Sequence, residues 1–428
     1  MNLKVYEIND AVRLVHICTD KFKKARLTVT FTVNADKDET PKTSMLMPVA
    51  FLGTEKYADF REICCRAEEL YAADISDYNI MRGGYQITGL AASILNDEYI
   101  SGDDRERGFS ILDGCFELLS EILKNPLFRE SDTETEKINR INRIKARQND
   151  AFGYAKYRFL MSMLENESGG FTLSGEAEQV EKYDSEILKK HHAHILENAP
   201  LEVFYCGTAS AERVSELILK YFSGIGGRML GCSHSPKKEA EITKNITEEG
   251  EYRQGNLFVG FRTGVLLSDK DYYATELMNQ IYGDGSQSKL FLNAREKKSL
   301  CYFCASSYDE VRGIIVVGCG IDNGNFDEAK NEILCQLEEM KHGNITDEEL
   351  LFAKETIESD CRAAKDHSTD YEEFERMRHL FGGPSTIEEY RQGIMSVSRE
   401  DIIAAAKKMT LDTVYFLKGT LGGEADDE

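Results

Sequence analysis

Two stretches of this chain repeat one plan. YDSEILKKHHAHILENAPLEVFYCGT (183–208) reads as a helix, a turn and a strand ending in Gly-Thr. VSREDIIAAAKKMTLDTVYFLKGT (397–420) follows the same order with a slightly shorter loop. An internal echo of this length constrains the fold more than any single motif, because a duplicated unit must bury its own apolar face twice. At 428 residues the chain is also too long for one ordinary core. The expected class is therefore α+β. It comprises two homologous lobes, each a mainly antiparallel sheet with helices packed on one face, joined by a linker and facing a cleft.

The order of elements supports this reading. RLVHI (13–17) and ARLTVTFTV (25–33) alternate as strands. Helical spacing follows in TSMLMPVAFLGT (43–54) and REICCRAEELYAA (61–73), and alternation returns in 78–92. Residues 107–128 are helical and run out at Pro126, and 134–164 reads as one long helix with a break near Gly153. SGIGGRMLGCSHSPKKEAEITKNITEEG (223–250) has no periodicity and reads as the linker. Beyond it come a strand (255–265), a helix (271–283), two strands and a long helix (326–343). The expected division is a first lobe over 1–222, a linker over 223–250 and a second lobe over 251–428.

Charge and cysteine content exclude several classes. Seventy-five acidic against 52 basic residues give −23, which argues against nucleic acid or an anionic membrane surface as partner. Eleven cysteines without framework spacing fit a reducing compartment. No apolar run is long enough to span a bilayer, and the N-terminus alternates like a strand, so the expected location is cytoplasmic.

GDGSQSKLFLNAREKKSLCY (283–302) is the stretch with the most chemistry. Ser286 or Ser288 can cap a helix carrying Leu290, Phe291 and Ala294 on its apolar side. Arg295 falls near the helix end and Tyr302 near the start of the next strand. Two such donors can hold one peptide carbonyl and stabilise an oxyanion. The same residues can equally be a surface arginine in a charge cluster and a half-buried strand tyrosine.

QGNLFVGFRT followed by DKDYYATELMNQIYGDGSQSKLFLNAREKKSLCYFCASS resembles the second half of the pitrilysin-type metallopeptidases, which include insulinase and the processing peptidases. The matching positions are Gly283 to Gly285, Ser288, Leu290, Phe291, Arg295, Glu296, Lys297, Leu300 and Tyr302. LGTEKYADF (52–60) and EELYAADIS (68–76) extend the likeness to the first half. The resemblance implies the pitrilysin-type fold, and that Arg295 and Tyr302 contact a peptide substrate. It also implies that the zinc ligands lie on an inverted His-x-x-Glu-His helix just before Gly53-Thr54. Here that helix reads Ser44-Met45-Leu46-Met47-Pro48. Ser44 and Pro48 stand at the histidine positions and Met47 at the general-base position, so no cofactor is expected in this chain. Glu136 can correspond to the distant third ligand as a relic, but one carboxylate on a charged helix makes no metal site and reads first as an ordinary helix-face acid.

Other metal or nucleophile arrangements are weak. His191, His192 and His194 form the one histidine cluster, with 191 and 194 on one helix face and 192 away from it. Cys301 and Cys304, spaced C-x-x-C, are expected on opposite faces of a strand, and Cys64 and Cys65 in a helix core. The resemblance implies a non-catalytic subunit, partnered by a zinc-bearing homologous peptidase subunit and helping to hold an extended peptide. A stand-alone peptide-binding or scaffold protein, a zinc peptidase with unrecognised ligands, and a homodimer in isolation remain open.

Overall fold

The computed structural model describes residues 3–167, 170–228 and 236–421. It divides into two compact units, Met1–Lys145 with Phe171–Ser233, and Ala146–Gly170 with His234–Glu428.

The first unit holds a six-stranded sheet. Its strands are β1 (Leu3–Glu7), β2 (Val12–Cys18), β3 (Lys24–Asn34), β4 (Asp74–Arg82), β5 (Tyr85–Leu95) and β6 (Leu201–Gly207), in the order β1-β2-β6-β3-β5-β4. Only β2 and β6 run parallel. The β period of ARLTVTFTV sends Leu27, Val29 and Phe31 to one side, where they meet Leu46 of helix Thr40–Ala50 and Phe116 and Leu119 of helix Ile111–Lys124. Each such side chain stabilises by roughly 1.5–3 kcal/mol when removed from water. Ser110 caps the Ile111–Lys124 helix, and its first two amides donate to the Asp97 carboxylate.

The second unit holds β7 (Lys244–Gly250), β8 (Gly255–Arg262), β9 (Cys301–Asp309), β10 (Ile314–Ile321) and β11 (Thr410–Gly419), in the order β7-β11-β8-β10-β9. Again one pair, β7 with β11, is parallel. The order matches β2-β6-β3-β5-β4 strand for strand, so the echo between 183–208 and 397–420 marks equivalent strands, β6 and β11. Helices Tyr272–Tyr282, Phe326–Lys341 and Arg399–Lys408 cover one face, around Leu257, Val259 and Phe261.

Several local expectations are corrected. Residues 78–92 are two strands, β4 and β5, because Gly83 takes φ +51° in the turn between them. The long helix of 134–164 is two, Glu130–Ala146 and Ala151–Met163, with Asp150 capping the second before Gly153. The second of these helices was expected in the first lobe, but it packs on the far face of the second sheet. Ala155, Phe159 and Met163 lie there against Phe258, Val316 and Tyr415. Gly260 permits the approach, since a Cβ there would come within 2.5 Å of Met163 Sδ. Arg262, buried at 1% exposure, ties the segment down. Its guanidinium donates to Glu167 at 2.6 Å, to Asp412 at 2.8 Å and to the Met163 carbonyl at 3.0 Å. The expected linker of 223–250 includes β7, while 229–235 fall outside the described residues. Among the described residues no helix is long and apolar enough to cross a membrane.

Candidate functional site

In the first unit, helix Thr40–Ala50 carries Ser44 and Met47 buried at 1% and 3% exposure, with Pro48 inside the helix. Helix Glu130–Ala146 places Glu136, Arg140 and Arg143 four and seven residues apart, hence on one face. Arg140 donates from one guanidinium nitrogen to Ser44 Oγ at 2.9 Å and from another to the Ser44 carbonyl at 2.8 Å. Ser44 Oγ in turn lies 2.6 Å from the Leu173 carbonyl. Glu136 accepts from Arg143 at 2.6 Å and stands 3.5 Å from Arg140. Burial pulls the Arg140 guanidinium below its usual range, and Glu136 opposes that pull. An arginine stays charged under either influence.

These residues do not fit zinc. A hydroxyl, a thioether and a proline replace the two imidazoles and the general base, and none is a competent ligand or base for this metal. The position also already holds a cation, the Arg140 guanidinium. A further positive charge about 4 Å away would be opposed by about 4 kcal/mol per unit charge in a protein environment. The Glu136 carboxylate is engaged by two arginines. Among the described residues no group of three or more His, Cys, Asp and Glu side chains is arranged to hold a metal. Arg140 and Arg143 were the residues that sequence reading passed over. Their signal was the i, i+4, i+7 spacing from Glu136 within ETEKINRINRIK.

The histidine cluster has structural partners. His191 Nε2 lies 2.7 Å from Thr43 Oγ1, and its Nδ1 lies 3.2 Å from Glu39 Oε2. Burial lowers the His191 pKa to about 4, so at neutral pH its contact with Glu39 is a hydrogen bond from a neutral ring rather than an ion pair. His192 Nε2 donates to the Leu123 carbonyl at 2.9 Å, and burial lowers its pKa to about 4 as well. His194 Nδ1 pairs with Asn198 on the surface.

In the second unit a short helix carries Arg295, and strand β9 carries Tyr302 near its start. Ser288 Oγ lies 2.8 Å from the Gly285 carbonyl and accepts from the Phe291 amide at 3.4 Å, at the head of a π-helix, Phe291–Lys297. Leu290 and Ala294 point into the core. Gly283 is required by close approach, since a Cβ would meet Ser306 Oγ at 2.5 Å. Arg295 lies over the Phe291 ring at 4.7 Å and 3.6 Å from Glu296, with 43% of its side chain exposed. Tyr302 is 59% exposed. It falls at a β-bulge: Gly320 faces Phe303 and Ile321 faces Cys301, so Tyr302 has no partner in the register. Bulges re-aim side chains, and this one lies on β9, the edge strand. No hydrogen bond joins Arg295 to Tyr302, and both present donors to solvent.

The bulge also corrects the cysteine reading. Cys301 and Cys304 are both buried, on one face of β9, because the extra residue restores their phase. Cys64 is half-buried and Cys65 exposed, so neither sits in a helix core.

Comparison with known proteins follows the same line. Residues 182–357 match the model of the peptidase M16 inactive domain. The probable inactive metalloprotease YmfF of Bacillus subtilis is 28% identical over 410 residues, which cover 94% of this chain and 95% of that protein. A conserved protein of Enterococcus faecalis superposes with a TM-score of 0.90 at 23% identity, covering 99% of this chain and 100% of that one. A peptidase M16 inactive domain from Pseudomonas fluorescens superposes with a TM-score of 0.78 at 16% identity, with 99% and 100% covered. The likeness to pitrilysin-type peptidases and the α+β class of the two units are thereby borne out, and the match to inactive relatives fits a chain without zinc.

Proposed function

We propose, for a chain related to the inactive M16-type peptidases, that it is the non-catalytic subunit of a two-chain zinc peptidase. Its role is to help enclose and position an extended peptide for cleavage by a zinc-bearing homologous partner in the cytoplasm. The observation that carries this reading is the contrast between the two equivalent units. In the first, the catalytic position is closed by Arg140. In the second, Tyr302 is turned outward by a bulge on an edge strand, close in sequence to a solvent-facing Arg295.

An extended peptide can add to a sheet edge, with main-chain hydrogen bonds giving affinity and side chains giving selectivity. On β9 the Ser306 amide already donates to the Gly283 carbonyl at 3.0 Å. That bond marks the outward phase of the strand and occupies it there, so the Tyr302 end is where a peptide would pair. Arg295 and Tyr302 would then each donate to a peptide carbonyl oxygen. A single donor of this kind typically contributes about 3 kcal/mol when it acts on a developing oxyanion.

Purification of the tagged chain from its native host tests the reading. The expected result is a same-length partner that carries an intact His-x-x-Glu-His helix, with chelator-sensitive peptidase activity in the complex only. Peptide binding by the chain alone, with no such partner recovered, would favour a stand-alone binding protein instead.

A further inference from the structure

Three cysteines meet inside the second unit. Cys304 and Cys319 stand directly opposite each other on β9 and β10, with their sulfurs 2.8 Å apart. The outward bond from the Ser306 amide fixes the phase of β9. Two residues earlier, Cys304 also turns its amide away from β10, so Cys304 and Cys319 form a non-hydrogen-bonded antiparallel pair. In such pairs the Cα atoms come to about 4.5 Å, within the span a disulfide accepts. The bulge at Tyr302 brings Cys301 to the same face, where its sulfur interacts with both of the others. Cys304 and Cys319 are 2% and 1% exposed, and Cys301, at 9%, is the most accessible of the three.

We propose that Cys304 and Cys319 are an oxidisable dithiol, and that Cys301 is the thiol through which a peroxide reaches them. The Cys301 thiolate attacks one peroxide oxygen; the S–O bond forms, the O–O bond breaks and hydroxide leaves. Cys304 then attacks the Cys301 sulfur, forming an S–S bond as the S–O bond breaks and water leaves with the Cys304 proton. Cys319 displaces Cys301 from Cys304, which regenerates the Cys301 thiol and leaves a cross-strand disulfide. In sum, two thiols and one peroxide give one disulfide and two waters. The neighbouring thiols and the positive charge of Arg295 lower the Cys301 pKa; the Cys301 thiol and burial raise that of Cys304, and burial with both neighbouring thiols raises that of Cys319. Cys301 is thereby the thiolate that meets the peroxide, while Cys304 and Cys319 rest protonated and each gives up its proton in the step in which it attacks. The product would fasten the edge strand that carries Tyr302 to its neighbour. The inference does not depend on the proposed peptidase role.

The test uses the full chain, reduced, then exposed to hydrogen peroxide under native conditions, alkylated and digested with trypsin. Cleavage after Lys298, Arg312 and Lys330 puts Cys301 and Cys304 in one peptide, 299–312, and Cys319 in another, 313–330. The expected product is a disulfide between these two peptides. In Cys301→Ser the same link should form on the order of tenfold more slowly with peroxide, because the accessible thiolate is gone. With diamide, which oxidises dithiols without a sulfenic intermediate, that variant should still form it. Three results would overturn the proposal: a stable Cys301–Cys304 link alone, thiols that stay free or oxidise singly, or a peroxide rate in Cys301→Ser equal to that of the parent chain.

Discussion

The guanidinium of Arg140 holds both oxygens of Ser44, the hydroxyl at 2.9 Å and the carbonyl at 2.8 Å. A buried arginine thus binds the helix position where the sequence likeness places the first metal ligand. Arg140→Ala should leave the Ser44 carbonyl, which Pro48 cannot serve with an amide, without a donor and Glu136 with Arg143 alone, at a cost of about 3 kcal/mol in denaturant unfolding. A change below about 0.5 kcal/mol, the size of an ordinary surface substitution, would mean the arginine is not structural.

The same contact limits any attempt to rebuild the site. Ser44→His, Met47→Glu and Pro48→His together restore the signature but leave a cation in place. That triple variant should bind zinc weakly and cleave little. Adding Arg140→Leu should tighten zinc binding by at least about a hundredfold, since removal of one nearby unit charge is worth several kcal/mol. Equal zinc affinity with and without Arg140, measured by calorimetry, would remove the guanidinium from the explanation.

Acid sensitivity should track His191 and His192. Both stay neutral in the native state down to about pH 4. In the unfolded chain each takes up a proton near pH 6.5. Between those values the unfolded state binds more protons, so stability falls as pH drops from about 6.5 towards 4, by roughly 3 kcal/mol per histidine over the full window. Urea unfolding at pH 7 and pH 4.5 should show this loss, and His191→Gln with His192→Gln should reduce it. An unchanged pH slope in the double variant would contradict the assignment.

Arg262 is the anchor of the helix that crosses from the first half of the sequence to the second sheet. Arg262→Met strands Glu167 and Asp412 as buried carboxylates, and loss of one partner from such a network typically costs about 3–5 kcal/mol. Hydrogen exchange should show helix Ala151–Met163 losing protection in this variant. Unaltered protection there would mean that Phe159 and Met163 suffice to dock it.

Much of this architecture was legible in the sequence. Strand alternation located β3 and β8, and the echo of 183–208 in 397–420 marked the equivalence of β6 and β11. Arg295 and Tyr302 stand where spacing put them, at a helix end and a strand start. What escaped reading has physical causes. The apolar stripe of helix Ala151–Met163 specifies burial but not which sheet it covers. A single bulged residue, Tyr302, reversed the expected facing of Cys301 and Cys304. Arg140 sits among charged neighbours that normally mark a solvated helix face, and only the structure shows its guanidinium turned inward to Ser44.

For the second unit, Arg295→Ala and Tyr302→Phe should leave the melting temperature of the lone chain unchanged, because both side chains face solvent. With a zinc-bearing partner, Arg295→Ala should slow peptide cleavage on the order of a hundredfold and Tyr302→Phe by less. Full activity in both, beside a lowered melting temperature, would assign the segment to the fold alone.

The central claim is that the helix position where the sequence likeness places the metal ligands is closed by the Arg140 guanidinium. It is tested most directly by measuring zinc bound to the purified chain after equilibration with micromolar zinc and removal of the excess. The account predicts far less than one zinc per chain, with no difference between the parent chain and Glu136→Gln. About one tightly held zinc per chain, as a closed ligand set gives, and its loss in Glu136→Gln would contradict it.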